Sequence, residues 1–393
     1  MLEIEESKPI PGAIIKVIGI GGAGGNAINT MIESNVKGVD FIVINTDVKD
    51  LYKCNALEKV QIGEALTRGL GTGADPQLGQ KCALEDKDKL QAVVNGADMV
   101  FITAGLGGGT GTGVAPVVAQ LAKDVGALTV AVVTKPFAFE GKPRAANAED
   151  GIKELKNVVD ALIVVPNQKL LEVVDRSTNI KASFNRANDI LRQAVQSISD
   201  LIVGTGLIVV DFNDVKTIMS ETGSALMGIG IDAGENRAQR AAEKAISSQL
   251  LEETSIQGAR GVLVNISGNE DITLHEVDEA MSLIRNSADP DANVIFGVLI
   301  DEDLGDKMKV TVIATGFDTT RRERNIEAER IGKNINIDRI LKETFDASTS
   351  VRRRRPFAKN GFNNHSTENA LEEELEIPAF LRKDRRNGIK TDL

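Results

Sequence analysis

Three glycine-rich stretches in the first third of the sequence have the composition of phosphate-binding loops. They are GIGGAGGN at 19–26, LGTGAD at 70–75 and GLGGGTGTG at 105–113. Clustered glycine costs conformational entropy and is unfavourable unless the backbone must closely approach another group. Bare N–H groups can converge on phosphate oxygens, and the N-terminus of a following helix adds a favourable dipole. With the hydroxyl groups of Thr110 and Thr112 as further donors, these stretches predict a nucleotide phosphate site.

The first stretch also matches a dinucleotide-binding fingerprint. Gly19-x-Gly21-x-x-Gly24 follows an apolar run, and Asp47 lies at a suitable distance to bind a ribose. A tight strand–helix turn needs the same glycines, so this motif is weak by itself. An NAD-dependent oxidoreductase needs one pyrophosphate loop and leaves the other two stretches unexplained. The sequence contains no GxxxxGK[ST], which excludes a Walker-type NTPase, and three loops favour a nucleoside triphosphate.

Two pairs of charged side chains have spacings that suit catalysis or binding. Asp211 and Asp214 lie one helical turn apart and can orient a water, although aspartate at these positions is more often a helix cap. Glu140 and Arg144 can hold ribose hydroxyls and a phosphate, although EGKPR alone is more often a solvated turn. Local spacing leaves both alternatives open.

Alternating apolar runs and helical stretches must position these residues. Strands are predicted at 13–20, 41–45, 100–103, 128–134 and 162–165. Helices are predicted at 26–34, 77–94, 114–123 and 145–159. Because β-branched runs bounded by Gly and Pro alternate with helices, they predict a parallel α/β sheet. An apolar stripe at helical spacing predicts a long helix at 183–202, with Phe184 in the core.

After this helix the pattern changes to short strands with two helices. Strands are predicted at 224–231, 261–267, 294–299 and 309–314, and helices at 237–250 and 274–287. The predicted fold class is α/β, with a Rossmann-like parallel-sheet nucleotide-binding domain, a long central helix, a smaller α+β domain and a disordered C-terminal tail. A flexible extension is predicted at 1–12, the nucleotide-binding domain at 13–182, the central helix at 183–202 and the α+β domain at 203–317. The tail is predicted to comprise a disordered linker at 318–370, with a transient helix at 326–341, and a binding peptide at 371–393.

Composition excludes several classes of function. The net charge of −11 and the 3% aromatic content argue against a general nucleic-acid binder. Cys54 and Cys82 cannot form a disulfide framework, and His275 and His365 lie too far apart for a His-rich metal site. Neither a signal-peptide pattern nor an apolar run of about 20 residues is present, so the sequence predicts a cytosolic protein without direct membrane insertion.

Five motifs together resemble the FtsZ branch of the tubulin/FtsZ superfamily. They are GIGGAGGNAIN near the start, GGGTGTG at 107–113, VTKPFAFEGKPR at 133–144, DFNDV at 211–215 and LEIPAFLR near the end. The likeness extends over nearly all of 12–317 and the terminal peptide. It implies a GTPase that binds GTP or GDP with Mg²⁺ and polymerises head to tail. The filaments would form the cell-division ring, the Z ring, at the midcell septum in the cytoplasm.

The resemblance also implies which residues bind the nucleotide. Those expected to surround it are Gly21, Gly22, Gly24, Gly25, Asn26, Gly71, Thr72 and Gly73. Those expected to cradle its phosphates are Gly107, Gly108, Gly109, Thr110, Gly111, Thr112 and Gly113. Glu140 and Arg144 match the ribose- and phosphate-side pair. Asn167, Phe184 and Asn188 match the guanine site, although Asp189 is an alternative to Asn188 for accepting from guanine N1 and N2.

By the same resemblance, Asp211 and Asp214 complete the active site of the adjoining subunit, so that hydrolysis needs a polymer. This sequence departs from the family pattern Asn-x-Asp-x-x-Asp, because Val209 stands at the Asn position. One polar contact to the neighbour's nucleotide is therefore expected to be missing, and hydrolysis is expected to persist in weakened form. A nucleotide-binding, polymerising scaffold with little hydrolysis is the alternative.

The terminal peptide has the pattern of a short docking helix. Ile377, Phe380 and Leu381 lie at i, i+3 and i+4, and Pro378 suits a first helical turn. Acidic residues precede this segment and basic residues follow it, which complements a helix dipole. Because so short a segment is not stable as an isolated helix, it predicts a motif that folds in the groove of a partner. The resemblance implies that these partners are membrane adaptors and regulatory proteins of cell division.

Overall fold

The computed structural model describes residues 12–173, 178–204, 206–220, 223–248 and 256–317. Within these residues lie ten strands and twelve α-helices. The predictions for the extension before residue 12, the linker and the terminal peptide lie outside the described residues. No helix in the described ranges has the length and apolar content needed to cross a membrane.

The strands form one sheet in which a parallel half continues into a mixed half. They are β1 (Ile15–Ile20), β2 (Asp40–Asn45), β3 (Glu58–Gln61), β4 (Met99–Gly105), β5 (Leu128–Lys135), β6 (Ala161–Pro166), β7 (Gly223–Ala233), β8 (Gly261–Gly268), β9 (Asn293–Ile300) and β10 (Lys307–Thr315). Their spatial order is β3-β2-β1-β4-β5-β6-β7-β10-β8-β9. Neighbouring strands are parallel from β3 to β7 and between β8 and β9, whereas β10 is antiparallel to both neighbours. The predicted α/β fold class is confirmed.

The helices cover both faces of this sheet. They are α1 (Gly21–Glu33), α2 (Val48–Lys53), α3 (Glu64–Thr67), α4 (Pro76–Glu85), α5 (Lys87–Val94), α6 (Thr110–Asp124), α7 (Lys142–Val158), α8 (Asn167–Val173), α9 (Ile180–Val203), α10 (Phe212–Met219), α11 (Arg237–Ile246) and α12 (Leu274–Ser287). One apolar cluster packs α1, α9 and α10 against the sheet, and another packs α4 to α7 on the parallel half. A third lies between α11, α12 and strands β8 to β10. The long central helix is therefore a core element, as its apolar stripe predicts.

The glycine-rich stretches begin their helices earlier than the sequence predicts. Helix α1 starts at Gly21 and α6 at Thr110, although the predicted starts were 26 and 114. Low helix propensity places glycine outside predicted helices, but close packing overrides it here. A Cβ atom on Gly24 would lie 2.5 Å from the Thr103 carbonyl oxygen, and one on Gly111 would lie 2.5 Å from that of Gly105. These helices therefore approach the strands at distances that only glycine allows.

Two other local differences separate the structure from the prediction. The predicted helix at 77–94 is divided into α4 and α5 at Asp86, whose carboxylate accepts a hydrogen bond of 2.7 Å from the Gly63 N–H. The short elements α2, β3 and α3 were not predicted, because EKVQ lacks an apolar run and both helices span two turns at most. Together they carry the chain from β2 to the glycine-rich stretch at 70–75.

Candidate nucleotide site

A cavity of about 410 Å³ opens at the carboxyl ends of the parallel strands. Its wall includes Ile20 at the end of β1, Gly105 at the end of β4, Thr134 on β5 and Asn167 directly after β6. Because β1 lies beside β4, the direction of winding reverses between these two strands. Ligands of open α/β sheets bind at such a switch point. The fold therefore places the site where the glycine-rich stretches at 19–26 and 105–113 follow their strands.

The N-terminal turns of two helices face this cavity. Gly21 and Gly22 begin α1, and the lining residues Gly108, Gly109, Thr110 and Gly111 lead into α6. A Cβ atom on Gly108 would meet nothing within 4 Å, so its backbone lies open to a ligand. Two helix N-termini that face one cavity can form an anion site. This half of the cavity fits the phosphates of a nucleotide.

Several residues predicted to touch the nucleotide do not line the cavity. They are Gly24, Gly25, Asn26, Gly71, Gly73, Gly107, Thr112 and Gly113. The Thr112 hydroxyl accepts a 2.9 Å hydrogen bond from the Gly107 N–H, and a Cβ atom on Gly113 would clash with the Pro76 carbonyl oxygen. These two contacts hold the loop together and allow α4 to pack closely against α6. Gly107, Thr112 and Gly113 of the GGGTGTG motif thus support the cavity wall without lining it.

Three threonine hydroxyls meet at the start of α6. The Oγ1 atoms of Thr46 and Thr110 are 2.7 Å apart, and those of Thr72 and Thr110 are 3.4 Å apart. Thr72 and Thr110 line the cavity, whereas Thr46 lies directly behind Thr110. The stretch at 70–75 therefore reaches the site through Thr72. Thr46 was not among the predicted site residues, and its position at the end of β2 is the signal that would have identified it.

Glu140 and Arg144 both line the cavity and form an ion pair. Arg144 Nη1 donates a 2.6 Å hydrogen bond to Glu140 Oε2, and Glu140 Oε1 accepts one of 3.0 Å from the Phe137 N–H. Glu140 ends a short 3₁₀ helix, Ala138–Glu140, and Arg144 lies in the first turn of α7. The pair is therefore part of the cavity wall, which favours a binding role over an ordinary solvated turn.

The other end of the cavity suits a planar base. Phe184 lies beside the opening with 41% of its surface exposed, so its predicted place in the core is wrong. Its ring meets that of Phe137 edge-on with 5.3 Å between the centroids. Asn167 is buried, and its Oδ1 atom has no hydrogen-bond partner among the described residues. A buried acceptor without a partner is costly, and the N–H groups of a guanine edge would satisfy it. The residues present therefore fit a guanine nucleotide.

The structure separates the two candidates for reading the guanine edge. Asn188 lines the nucleotide cavity, whereas Asp189 lines a different cleft, beside Arg192 and Gln193. The dinucleotide alternative also loses its ribose ligand, because the Asp47 carboxylate caps α2 by accepting from the N–H groups of Lys49 and Asp50. These placements favour Asn188 for the base and remove the predicted ribose ligand of a dinucleotide site.

Asp211 and Asp214 lie outside this cavity. Asp211 is the N-cap residue of α10 and Asp214 lies in its first turn, as the helix-capping interpretation expects, but the Asp211 side chain makes no capping hydrogen bond. Both carboxylates belong to exposed residues, and the chain just before them is exposed and apolar at Leu207, Ile208 and Val209. The pair thus projects from the surface and does not complete the nucleotide site of its own chain.

Two family models match the chain. The GTPase domain of the tubulin/FtsZ family matches residues 14–175, and the C-terminal domain of the FtsZ family matches residues 223–318. These two segments contain the nucleotide cavity wall up to Asn167 and strands β7 to β10, respectively.

Solved structures similar to this chain include FtsZ from M. jannaschii. An empty FtsZ dimer from that organism has 44% sequence identity and a TM-score of 0.75, covering 79% of this chain and 90% of the other. A mutant of FtsZ from the same organism has 44% identity and a TM-score of 0.74, covering 78% and 92%. CetZ1 from Haloferax volcanii, bound to GDP, has 23% identity and a TM-score of 0.67 over 77% and 94%, which shows a shared fold.

Proposed function

Because this chain belongs to the FtsZ family of tubulin-like, filament-forming GTPases, we propose that it hydrolyses GTP at the contact between two subunits of a head-to-tail filament. Each subunit binds GTP in the cavity at the carboxyl ends of β1, β4 and β5. The next subunit supplies Asp211 and Asp214. Such a heterologous contact does not close on itself and therefore produces an open filament.

The position of the two carboxylates is the observation that carries this proposal. Asp211 and Asp214 are exposed, lie outside their own nucleotide cavity, and are preceded by an exposed apolar segment at 207–209. Adjacent exposed apolar side chains are typical of a surface that another protein covers. A second copy that presents its nucleotide would cover this segment and place its phosphates beside the Asp211 carboxylate. That carboxylate makes no capping hydrogen bond in its own helix.

Each group has a distinct part in the proposed reaction. The backbone N–H groups of Gly108 and Gly109 and the hydroxyl of Thr110 hold phosphate oxygens, while Arg144 offsets phosphate charge. Asp211 and Asp214 of the adjoining subunit orient the attacking water. Phosphoryl transfer depends mainly on such positioning and on charge stabilisation. Mg²⁺ would neutralise phosphate charge, bound mostly through phosphate oxygens and water.

The decisive experiment is phosphate release from GTP as a function of protein concentration. A shared site predicts negligible release below the concentration at which filaments form and a rate proportional to polymer above it. Asp214→Ala should bind GTP and polymerise but release little phosphate, because its own cavity is intact. Equal release per subunit at all concentrations would show that one subunit is sufficient.

The same assay distinguishes a second candidate function, a polymerising scaffold with little hydrolysis. Val209, where the family pattern has Asn, is the observation that favours it. GTP-dependent filaments without phosphate release at any concentration would support the scaffold. Release that follows polymer would support the GTPase cycle.

We further propose that the filaments form the division ring at midcell in the cytoplasm. The terminal peptide, through Ile377, Pro378, Phe380 and Leu381, would bind membrane adaptors and regulatory division proteins. The segment 318–370 would connect filament and adaptor. The helical spacing of Ile377, Phe380 and Leu381 supports the binding role of the peptide.

A further inference from the structure

The hydrogen bond between the hydroxyl groups of Thr46 and Thr110 has one favoured donor. Thr46 is completely buried, and its Oγ1 atom lies 2.7 Å from Thr110 Oγ1. Within the described residues, the Thr46 hydroxyl has one hydrogen-bond partner, the hydroxyl of Thr110. Thr110 lines the nucleotide cavity, but Thr46 does not. The pair therefore joins the interior of the sheet to the first residue of α6.

The proton of Thr46 has one acceptor within reach in the described part of the chain. If Thr110 donated to Thr46, the buried Thr46 O–H would be left without an acceptor, which is unfavourable. The satisfied arrangement has Thr46 donating and Thr110 accepting. The proton of Thr110 is then free for another acceptor, and within the described residues the nearest is Thr72 Oγ1 at 3.4 Å. That distance is long for a hydroxyl–hydroxyl hydrogen bond.

We propose that Thr46 is a positioning residue that holds the Thr110 hydroxyl as a donor to a phosphate of the bound nucleotide. The inference rests on the proposed GTP site. When a phosphate enters, the weak Thr110–Thr72 contact is exchanged for a charge-assisted hydrogen bond. Accepting from Thr46 also strengthens Thr110 as a donor, because linked hydroxyl groups polarise one another. Thr46 thereby contributes to phosphate binding without touching the nucleotide.

The test is a double-mutant cycle on the full chain. GTP and GDP affinities are measured by calorimetry below the filament-forming concentration for the wild type, Thr46→Val, Thr110→Val and the double variant. Thr46→Val has nearly the same shape but no hydroxyl, and we expect it to weaken GTP binding roughly five- to tenfold. In the Thr110→Val background the same change should cost less than about twofold, because no hydroxyl is left to orient.

Conservative variants exclude a merely structural role. Thr46→Ser retains the donor and should bind GTP within about twofold of the wild type, and Thr46→Cys, whose thiol is a weaker donor, should lie between Ser and Val. The Ser and Cys variants decide the question even if Thr46→Val unfolds. A Ser variant as weak as Cys, or equal losses from Thr46→Val in both backgrounds, would overturn the inference.

The outcome is separable from that of the proposed function. A wild-type chain that binds no guanine nucleotide would refute the site itself. A chain that binds GTP normally in all Thr46 variants would refute the role of Thr46 alone. Assembly dependence of phosphate release has no influence on either result, since affinity is measured on unassembled protein.

Discussion

The carboxylate of Asp189 is bound to the guanidinium of Arg192, with 2.7 Å between Asp189 Oδ1 and Arg192 Nη2. Asp189 also accepts hydrogen bonds from Arg186 and from the Gln193 side chain. Its oxygens are therefore engaged on the face of α9 that is turned away from the nucleotide cavity. Asn188, one residue earlier, lies in the cavity wall and is available for a base.

Replacing Asn188 or Asp189 by alanine should have unequal effects on nucleotide binding. Asn188→Ala should lower GTP affinity about tenfold, because one hydrogen bond to the base is lost. Asp189→Ala should leave it within about twofold and lower stability slightly, since it removes a partly exposed ion pair. Calorimetric titration with GTP checks both variants. A larger loss from Asp189→Ala would mean that Asp189 reads the base.

Asn167→Leu should change affinity and stability in opposite directions. The variant removes a buried oxygen that lacks a partner among the described residues, so the nucleotide-free protein should gain up to about 1 kcal/mol in free energy of unfolding. GTP affinity should fall about tenfold or more, because the guanine N–H groups lose their acceptor. Denaturant unfolding and GTP titration give the two numbers. Asn188→Leu is the control, and it should weaken binding without the gain in stability, because Asn188 is only half-buried.

Val209→Asn should raise phosphate release per polymerised subunit by a few-fold. The substitution restores a polar group two residues before Asp211, on the surface proposed to meet the neighbour's nucleotide. As Val209 is 53% exposed, the change should alter the free energy of unfolding by less than about 0.5 kcal/mol. Leu207→Asn is the matched control, because Leu207 is 68% exposed in the same segment but is outside the Asn-x-Asp-x-x-Asp pattern. An unchanged rate for Val209→Asn would mean that another group, such as Asn213, replaces the missing one.

Asp200→Asn should make the protein more stable at neutral pH. Burial raises the pKa of the Asp200 carboxyl, although Lys309, Gln196 and Arg192 act in the opposite direction and Asp301 adds to the increase. The folded state then binds more protons than the unfolded state between the unfolded pKa of 3.8 and the higher folded pKa. The free energy of unfolding therefore falls as pH rises through that window. Thermal unfolding from about pH 4 to about pH 8 should show a wild-type decline that Asp200→Asn reduces, and identical curves would contradict this.

Removing residues 372–393 should separate membrane recruitment from assembly. The truncated chain should form GTP-dependent filaments, because the nucleotide cavity and the Asp211–Asp214 segment lie in the retained part. It should no longer bind adaptor-coated vesicles, and Phe380→Ala alone should have nearly the same effect, since a few apolar anchors dominate such contacts. Sedimentation of filaments and vesicle flotation measure the two properties. A truncated chain that cannot polymerise would contradict this division of roles.

The sequence predicted the larger elements and the general place of the site. Strands with β-branched runs and helices with an apolar stripe were found where predicted, because each pattern is set by burial of one element against the sheet. The starts of α1 and α6 were misplaced, since a local propensity does not register that Gly24 packs against the Thr103 carbonyl. Helical spacing alone placed Phe184 in the core, whereas the family resemblance placed it at the guanine site; in the structure it lines the cavity. Helical spacing identifies a stripe, but it does not reveal that this end of α9 projects past the sheet to the cavity.

By itself, the sequence determined which chemistry is available: glycine-rich turns after strands for phosphate, amides for a base, and a carboxylate pair one helical turn apart. These are properties of residue type and near spacing, which act over one or two turns of chain. The tertiary structure alone decided which groups meet. It left Asn188 at the nucleotide cavity and Asp189 in a different cleft, and it brought Thr46 against Thr110. Thr46 and Thr110 are far apart in the chain, and Asn188 and Asp189 lie on different faces of α9, so only packing decides which of these groups reach the site.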